Sequence, residues 1–114
     1  MLLIKYSRPL LNEERFLNMS FTEYYQYYLT LHQHSWNRRL HIAGQLSTIV
    51  FIAAVIQLQI WFLLVLSPFI VYPFAWSGHY FFEKNTPAAF SHPLWAKACD
   101  WIMLKDTLIG KISF

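Results

Sequence analysis

Three of the five histidines in this 114-residue chain stand where sequence alone brings them together. His41 and His79 bracket a long uncharged stretch. If that stretch folds back on itself, they come to similar depth at one membrane face, and His32 lies just before it. Glu83 follows His79 by one helical turn. Neutral imidazoles and a carboxylate form a ligand set that suits ferrous iron with open positions for substrate and oxygen, and zinc would accept the same atoms. Spacing does not choose between the metals. Two readings without such an ion stand beside it: His41 and His79 as axial ligands of a haem in electron transfer, or a structural protein in which each imidazole donates one hydrogen bond across the hairpin. His34, in a loop two residues after His32, and His92, which leads into Pro93, are weaker ligand candidates. Ser91 beside His92 carries no oxyanion-hole signature, which sets a hydrolase aside.

The elements that must position these groups follow from composition. With 56% hydrophobic and 19% aromatic residues, the chain is far richer in apolar side chains than a soluble domain needs. About 43 residues from Leu40 to Phe82 contain no Asp, Glu, Lys or Arg, enough for two crossings of a bilayer joined by a very short turn. The turn is placed at Gln57, Leu58 and Gln59, giving spans of about 40–56 and 60–82, the second kinked at Pro68 and Pro73. Ser20 and Glu23 form a capping box that starts a helix running to about Leu31. Tyr24, Tyr28 and His32 share one face of it, and the tyrosines there suit an aromatic belt at headgroup level. Pro93 to Leu108 reads as an interfacial helix, with Leu94, Trp95, Ala98, Trp101 and Ile102 set against Lys97, Asp100, Lys105 and Asp106. The expected fold is all-α: one membrane-embedded domain over residues 1–114, a two-span hairpin flanked by two surface helices.

Within the spans, His41, Gly44, Gln45 and Thr48 form a small and polar stripe that should face protein. Tyr72, Trp76, His79 and Glu83 form the matching stripe on the second span. Asn37 is the expected N-cap of the first span. Arg38 and Arg39 then sit in its first turn, where the helix dipole disfavours cations. That calls for an anion, either a lipid phosphate or a substrate carboxylate. Arg38 and Arg39 before the hairpin and Lys84 after it place both termini on the cytoplasmic side. A formal charge of +3 without a basic stripe fits anionic lipid and excludes nucleic acid as a partner. Cys99 is the single cysteine, so no internal disulfide forms. Met1 to Ile4 is too short for a signal-peptide core, and the Asn18-Met19-Ser20 acceptor triplet stays unmodified on a cytoplasmic N-terminus. Oligomeric state has no visible signature.

The string His32-Gln33-His34-Ser35-Trp36-Asn37-Arg38-Arg39-Leu40-His41, with Gly44 following, and the later Gly78-His79-Tyr80-Phe81-Phe82-Glu83-Lys84-Asn85-Thr86-Pro87-Ala88 resemble the two signature blocks of the fungal 2-hydroxy fatty acid dioxygenase family and its bacterial branch. The resemblance runs from about Tyr24 to Leu108. It implies a membrane enzyme, here of a bacterial inner membrane, that uses Fe(II) and dioxygen to shorten a 2-hydroxy fatty acid by one carbon. His32, His41 and His79 would hold the iron, with Glu83 as a ligand or a partner of one. Asn37, Arg38, Arg39 and Tyr28 are the groups nearest in sequence to meet the substrate, with Arg38 or Arg39 steering its carboxylate. A 2-hydroxy carboxylate can chelate iron through both functions while its acyl chain stays in the bilayer.

Overall fold

A computed structural model describes residues 19–88 and 92–114. Residues 1–18 and 89–91 lie outside that description, and with them the N-terminal leader, Asn18 and Ser91. The described residues form four α-helices: α1 (Phe21–Thr30), α2 (Ser35–Leu58), α3 (Val71–Gly78) and α4 (Pro93–Leu108). A 3-10 segment, Trp61–Phe69, precedes α3, and a π-helical turn, His79–Glu83, follows it.

The capping box forms as its sequence requires. The Ser20 hydroxyl accepts from the Glu23 N–H at 3.2 Å and the Glu23 carboxylate accepts from the Ser20 N–H at 3.0 Å, so two orphan donors are satisfied at once. Helix α2 begins earlier than expected. His34, not Asn37, is its N-cap, its ring nitrogen accepting from the Trp36 N–H at 3.2 Å. Asn37 lies inside the first turn, fully buried, because its amide is used across the hairpin instead. At the far end Gln59 adopts a left-handed conformation, φ 58°, and the chain reverses within Gln59 and Ile60.

The returning arm winds three ways. A nine-residue 3-10 stretch is long for that geometry, and Pro68 within it lacks the N–H that an α-helix would use. Pro73 sits in the first turn of α3, where its missing donor has no partner to lose. Together the arm runs from Trp61 to Glu83, and both it and Ser35–Leu58 are long and apolar enough to cross a membrane. At about 1.5 Å per α-helical residue and 2.0 Å per 3-10 residue, each exceeds the roughly 30 Å hydrocarbon core.

Small residues let the two arms touch. A Cβ added at Gly44 would lie 2.9 Å from Val71 Cγ2 and 3.1 Å from Phe74 Cβ. Along α2 the stripe His41, Gly44, Gln45 and Thr48 is buried, as the spacing demanded. On the returning arm the buried stripe is Val71, Ala75, Gly78 and His79. Of the expected stripe, His79 is buried and Glu83 reaches the first arm, whereas Trp76 is 44% exposed and stacks on Tyr72 with ring centroids 5.3 Å apart. Close approach of the backbones selects small residues for much of the contact, and at Gly44 the missing side chain makes room for Phe74.

Helices α1 and α4 pack on each other and build a separate core from Tyr24, Tyr28, Leu29, Ala96, Cys99 and Met103. Tyr24 and Tyr28 are thus core residues, 0% and 1% exposed, and not a headgroup belt. The expected faces of α4 hold only in part: Trp95 packs against the core and Lys105 faces outward, but other positions differ. Leu94 and Trp101 point outward and Asp100 points in, because the inner face meets α1 and a hydrogen-bonding site. The outer surface of the molecule is strongly apolar: Val50, Leu58, Phe62 and Val65 are each about two-thirds or more exposed.

Candidate metal centre

His32, His41 and His79 arrive from three different places. His32 follows the end of α1, His41 lies in the second turn of α2, and His79 opens the π turn after α3. All three are buried, at 1%, 2% and 2% exposure. Their ring centroids are 4.5, 4.6 and 5.1 Å apart, with ring planes crossing at 80°, 78° and 85°. One ligand atom from each lies within 4.8 Å of the others.

Each ring is held by its Nδ1. That atom of His32 donates to the Tyr28 carbonyl at 2.7 Å, and that of His41 to the Asn37 carbonyl at 2.9 Å. A carbonyl carries no proton, so both Nδ1 atoms must. His79 Nδ1 meets Asn85 Oδ1 at 2.6 Å, and the Asn85 amide nitrogen donates to the Leu31 carbonyl at 3.1 Å, which fixes that amide's orientation and makes His79 Nδ1 a donor as well. A neutral imidazole with Nδ1–H offers only a lone pair at Nε2. The three Nε2 lone pairs therefore remain for the space between the rings.

This resolves an otherwise unfavourable contact. The Nε2 atoms of His32 and His41 are 3.1 Å apart. With both Nδ1 protons donated, neither Nε2 has a proton to share, so two acceptors face each other and call for a cation. Two nitrogens bound at about 2.1 Å to one ion, at roughly a right angle, would be about 3 Å apart. The cavity there measures about 20 Å³ and is walled by Tyr28, Ala75, Pro87, Ala88, Ala96 and the histidines. That is room for about one water-sized particle. That room suits a single small ion and is far smaller than a porphyrin.

Around the histidines, burial governs the titrating groups. Burial, reinforced by His41 and His79, holds the His32 imidazole well below its ordinary pKa, in the neutral form that a metal needs. The Tyr28 ring stacks on His32 with centroids 3.9 Å apart, and its hydroxyl donates to Asp100. Burial pushes the Asp100 carboxyl up to about 6, with the Tyr28 hydrogen bond and Lys97 opposing it. Burial and the Asp100 charge raise the Tyr28 phenol well above its usual value.

The remaining candidates are placed elsewhere. The Glu83 carboxylate accepts from the His34 N–H at 2.6 Å and from the Asn37 amide at 3.2 Å, across the hairpin at the N-terminus of α2. It is outside the three-histidine group. The anion that the first turn of α2 called for is thus supplied by the chain itself, at the positive end of the helix dipole. Asn37 in turn presses on Gly78, where an added Cβ would collide with the Asn37 side-chain oxygen. The Arg38 guanidinium donates to the carbonyls of His32 at 2.9 Å, Gln33 at 2.7 Å and Ser113 at 3.2 Å. Arg39 lies over the Trp36 and Phe114 rings and donates to the Phe114 carbonyl. His34 caps α2, and His92 caps α4, accepting from the Trp95 N–H at 3.4 Å.

Two members of the site escaped the sequence reading. Asn85 looked like a turn residue, and only its position in the block that begins Gly78-His79 hinted at more. Asp100 looked like one charge of a solvated face; its signal was isolation among Ala96, Cys99 and Met103 at helical spacing.

No curated protein and no solved structure matches this sequence. A family model described as 2-hydroxy-palmitic acid dioxygenase Mpo1-like matches residues 18–112. That span contains the three histidines, both arms of the hairpin and the α1–α4 layer, so the chain belongs to the Mpo1-like family.

Proposed function

We propose that the protein is a membrane enzyme that holds Fe(II) through Nε2 of His32, His41 and His79 and uses dioxygen to shorten 2-hydroxy fatty acids by one carbon. The observation that carries this reading is the common tautomer. Three Nδ1–H groups are each occupied by an oxygen acceptor, leaving three lone pairs to converge in a space the size of one small particle. Three histidines leave coordination positions open, which a purely structural site would fill. An Fe(II) ion held there would supply the redox chemistry for dioxygen to oxidise the substrate at the bond between its first and second carbons.

The chain's own residues do the rest. The Tyr28 carbonyl, the Asn37 carbonyl and the Asn85 amide orient the imidazoles and raise their basicity as ligands. Ala75, Pro87, Ala88 and Ala96 keep the cavity small and poor in water. Glu83 serves as a clasp between the two arms. Arg38 ties the loop before α2 in place. Arg39 is held over the Trp36 and Phe114 rings beside the hairpin, and the outward apolar faces keep an acyl chain in hydrocarbon.

The test is turnover. Protein purified in detergent and loaded with ferrous iron should convert 2-hydroxyhexadecanoate to the fatty acid one carbon shorter, only when oxygen is present. Iron-loaded, folded protein that leaves the substrate unchanged in air would overturn the assignment.

A further inference from the structure

A second cavity, of about 270 Å³, opens between α2, the 3-10 segment and α4. Gln45, Thr48, Ser67, Pro68, Lys97 and Trp101 line it, and Asp100 stands between it and the histidine cavity, lining both. Gln45 follows His41 by one turn on the same face of α2. It is 1% exposed, yet neither its amide nitrogen nor its amide oxygen has a hydrogen-bond partner among the described residues. Leaving both polar atoms of a buried amide without partners is costly. Such an amide is kept where something fills the cavity.

Lys97 supplies charge at the same place. Its ammonium donates to the Pro68 carbonyl at 2.7 Å and lies 4.7 Å from the Tyr72 ring centroid. An ammonium has three N–H donors, so two remain. The single salt bridge among the described residues joins Lys105 and Asp106; Asp100 attracts Lys97 from a distance, without an ion pair, and accepts from the Tyr28 hydroxyl. Arg38 and Arg39 are committed to carbonyls and rings. Lys97 is the cation with spare donors beside the histidine cavity.

We propose that this cavity recognises the polar head of a 2-hydroxy fatty acid, Lys97 and the Gln45 amide nitrogen donating to its carboxylate and the Gln45 amide oxygen accepting from its 2-hydroxyl. A primary amide offers a donor and an acceptor side by side. A 2-hydroxy acid offers the complement on neighbouring carbons, and an unsubstituted fatty acid lacks the hydroxyl. Gln45 is then a specificity-determining residue and Lys97 the carboxylate anchor. The identity of the ligand rests on the proposed activity, but the existence of a carboxylate pocket does not.

Binding to metal-free protein in micelles separates the two. Trp101 lines the cavity, so its fluorescence, isolated by comparison with Trp101→Phe, reports occupancy. Three probes are used: 2-hydroxyhexadecanoate, hexadecanoate and methyl 2-hydroxyhexadecanoate. The hydroxy acid should bind tightest and the ester weakest. Lys97→Met should weaken both acids roughly tenfold or more and leave the ester unchanged, since a hydrogen bond to a charge is worth at least a factor of ten, and Lys97→Arg should restore most of the loss. Gln45→Leu should make the two acids bind alike. With turnover as readout, both variants should raise KM far more than they lower kcat. If Lys97→Met and Gln45→Leu bind all three probes like the parent, the pocket assignment is wrong even where the parent turns over. If the parent is inactive but its binding depends on Lys97 and the carboxylate, the pocket stands and the dioxygenase reading falls. Should Lys97→Met fail to fold, Lys97→Arg and Gln45→Leu decide by the same criteria.

Discussion

At the scale of single residues, the site is defined by the atoms behind the ligands as much as by the ligands. His32, His41 and His79 could be picked from sequence because imidazole is rare in apolar helices and a fold-back sets two of them at one depth. Their Nδ1 partners could not: two are backbone carbonyls, which every residue has, and the third, Asn85, sits in a segment rich in turn formers. Glu83 was legible as important but not in its role, since a carboxylate one turn from a histidine looks the same whether it binds metal or clasps a neighbouring helix. Asn85→Leu keeps all three imidazoles but releases His79, so we expect metal affinity to fall about 10- to 100-fold, measured by competition with a coloured chelator. Asp100 offers a second check. Its carboxyl is raised from 3.8 to about 6 in the folded protein, so the folded state binds that proton more tightly than the unfolded chain. The resulting stability is complete below the unfolded pKa and is lost as pH rises through the folded one. Relative to Asp100→Asn, the parent should therefore lose on the order of 2–3 kcal/mol between about pH 4 and pH 7 in chemical denaturation. A pH-independent difference would show that Asp100 titrates normally.

At the scale of elements, the ends of helices were easier to read than their faces. Ser20 and Glu23 announced α1 and Pro93 announced α4, because caps depend on local chemistry, whereas the reversal expected at Gln57, Leu58 and Gln59 falls at Gln59 and Ile60, and the N-cap expected at Asn37 is His34. The change of winding along the returning arm was not readable beyond its prolines. Nor was the inward face of α4: the usual rule puts apolar side chains inside, whereas Leu94 and Trp101 face outward here and a hydrogen-bonded Asp100 lies within. The π turn has a mechanical consequence. The His79 carbonyl accepts from both Lys84 and Asn85, at 2.6 and 3.2 Å, which curls the chain so that the Asn85 side chain returns to the His79 ring. Gly78 allows this turn to sit against Asn37. Gly78→Ala should destabilise the fold by about 1–3 kcal/mol through overpacking and lower metal content along with the melting temperature. Full retention of both would mean that the Asn37–Gly78 contact is not a constraint.

At the scale of the whole molecule, two arms long enough to span a bilayer carry an apolar outer surface, while the polar groups gather near one end, where α1 and α4 close over the histidines. A surface of this kind is expected to stay with lipid, so the protein should remain in the membrane fraction after alkaline carbonate washing, and its release into the supernatant would contradict a spanning hairpin. Charge placement before and after the hairpin sets the orientation we expect, with both termini cytoplasmic, readable by reporters fused to either end. The central claim, that three helically separated imidazoles share one iron, is tested most directly by metal analysis of anaerobically purified protein in detergent, for the parent and for folded His32→Ala, His41→Ala and His79→Ala variants. We expect close to one iron per chain in the parent and a near-complete loss in each variant. A parent without bound metal after ferrous loading, or a folded His41→Ala variant that keeps its full iron content, would contradict the account.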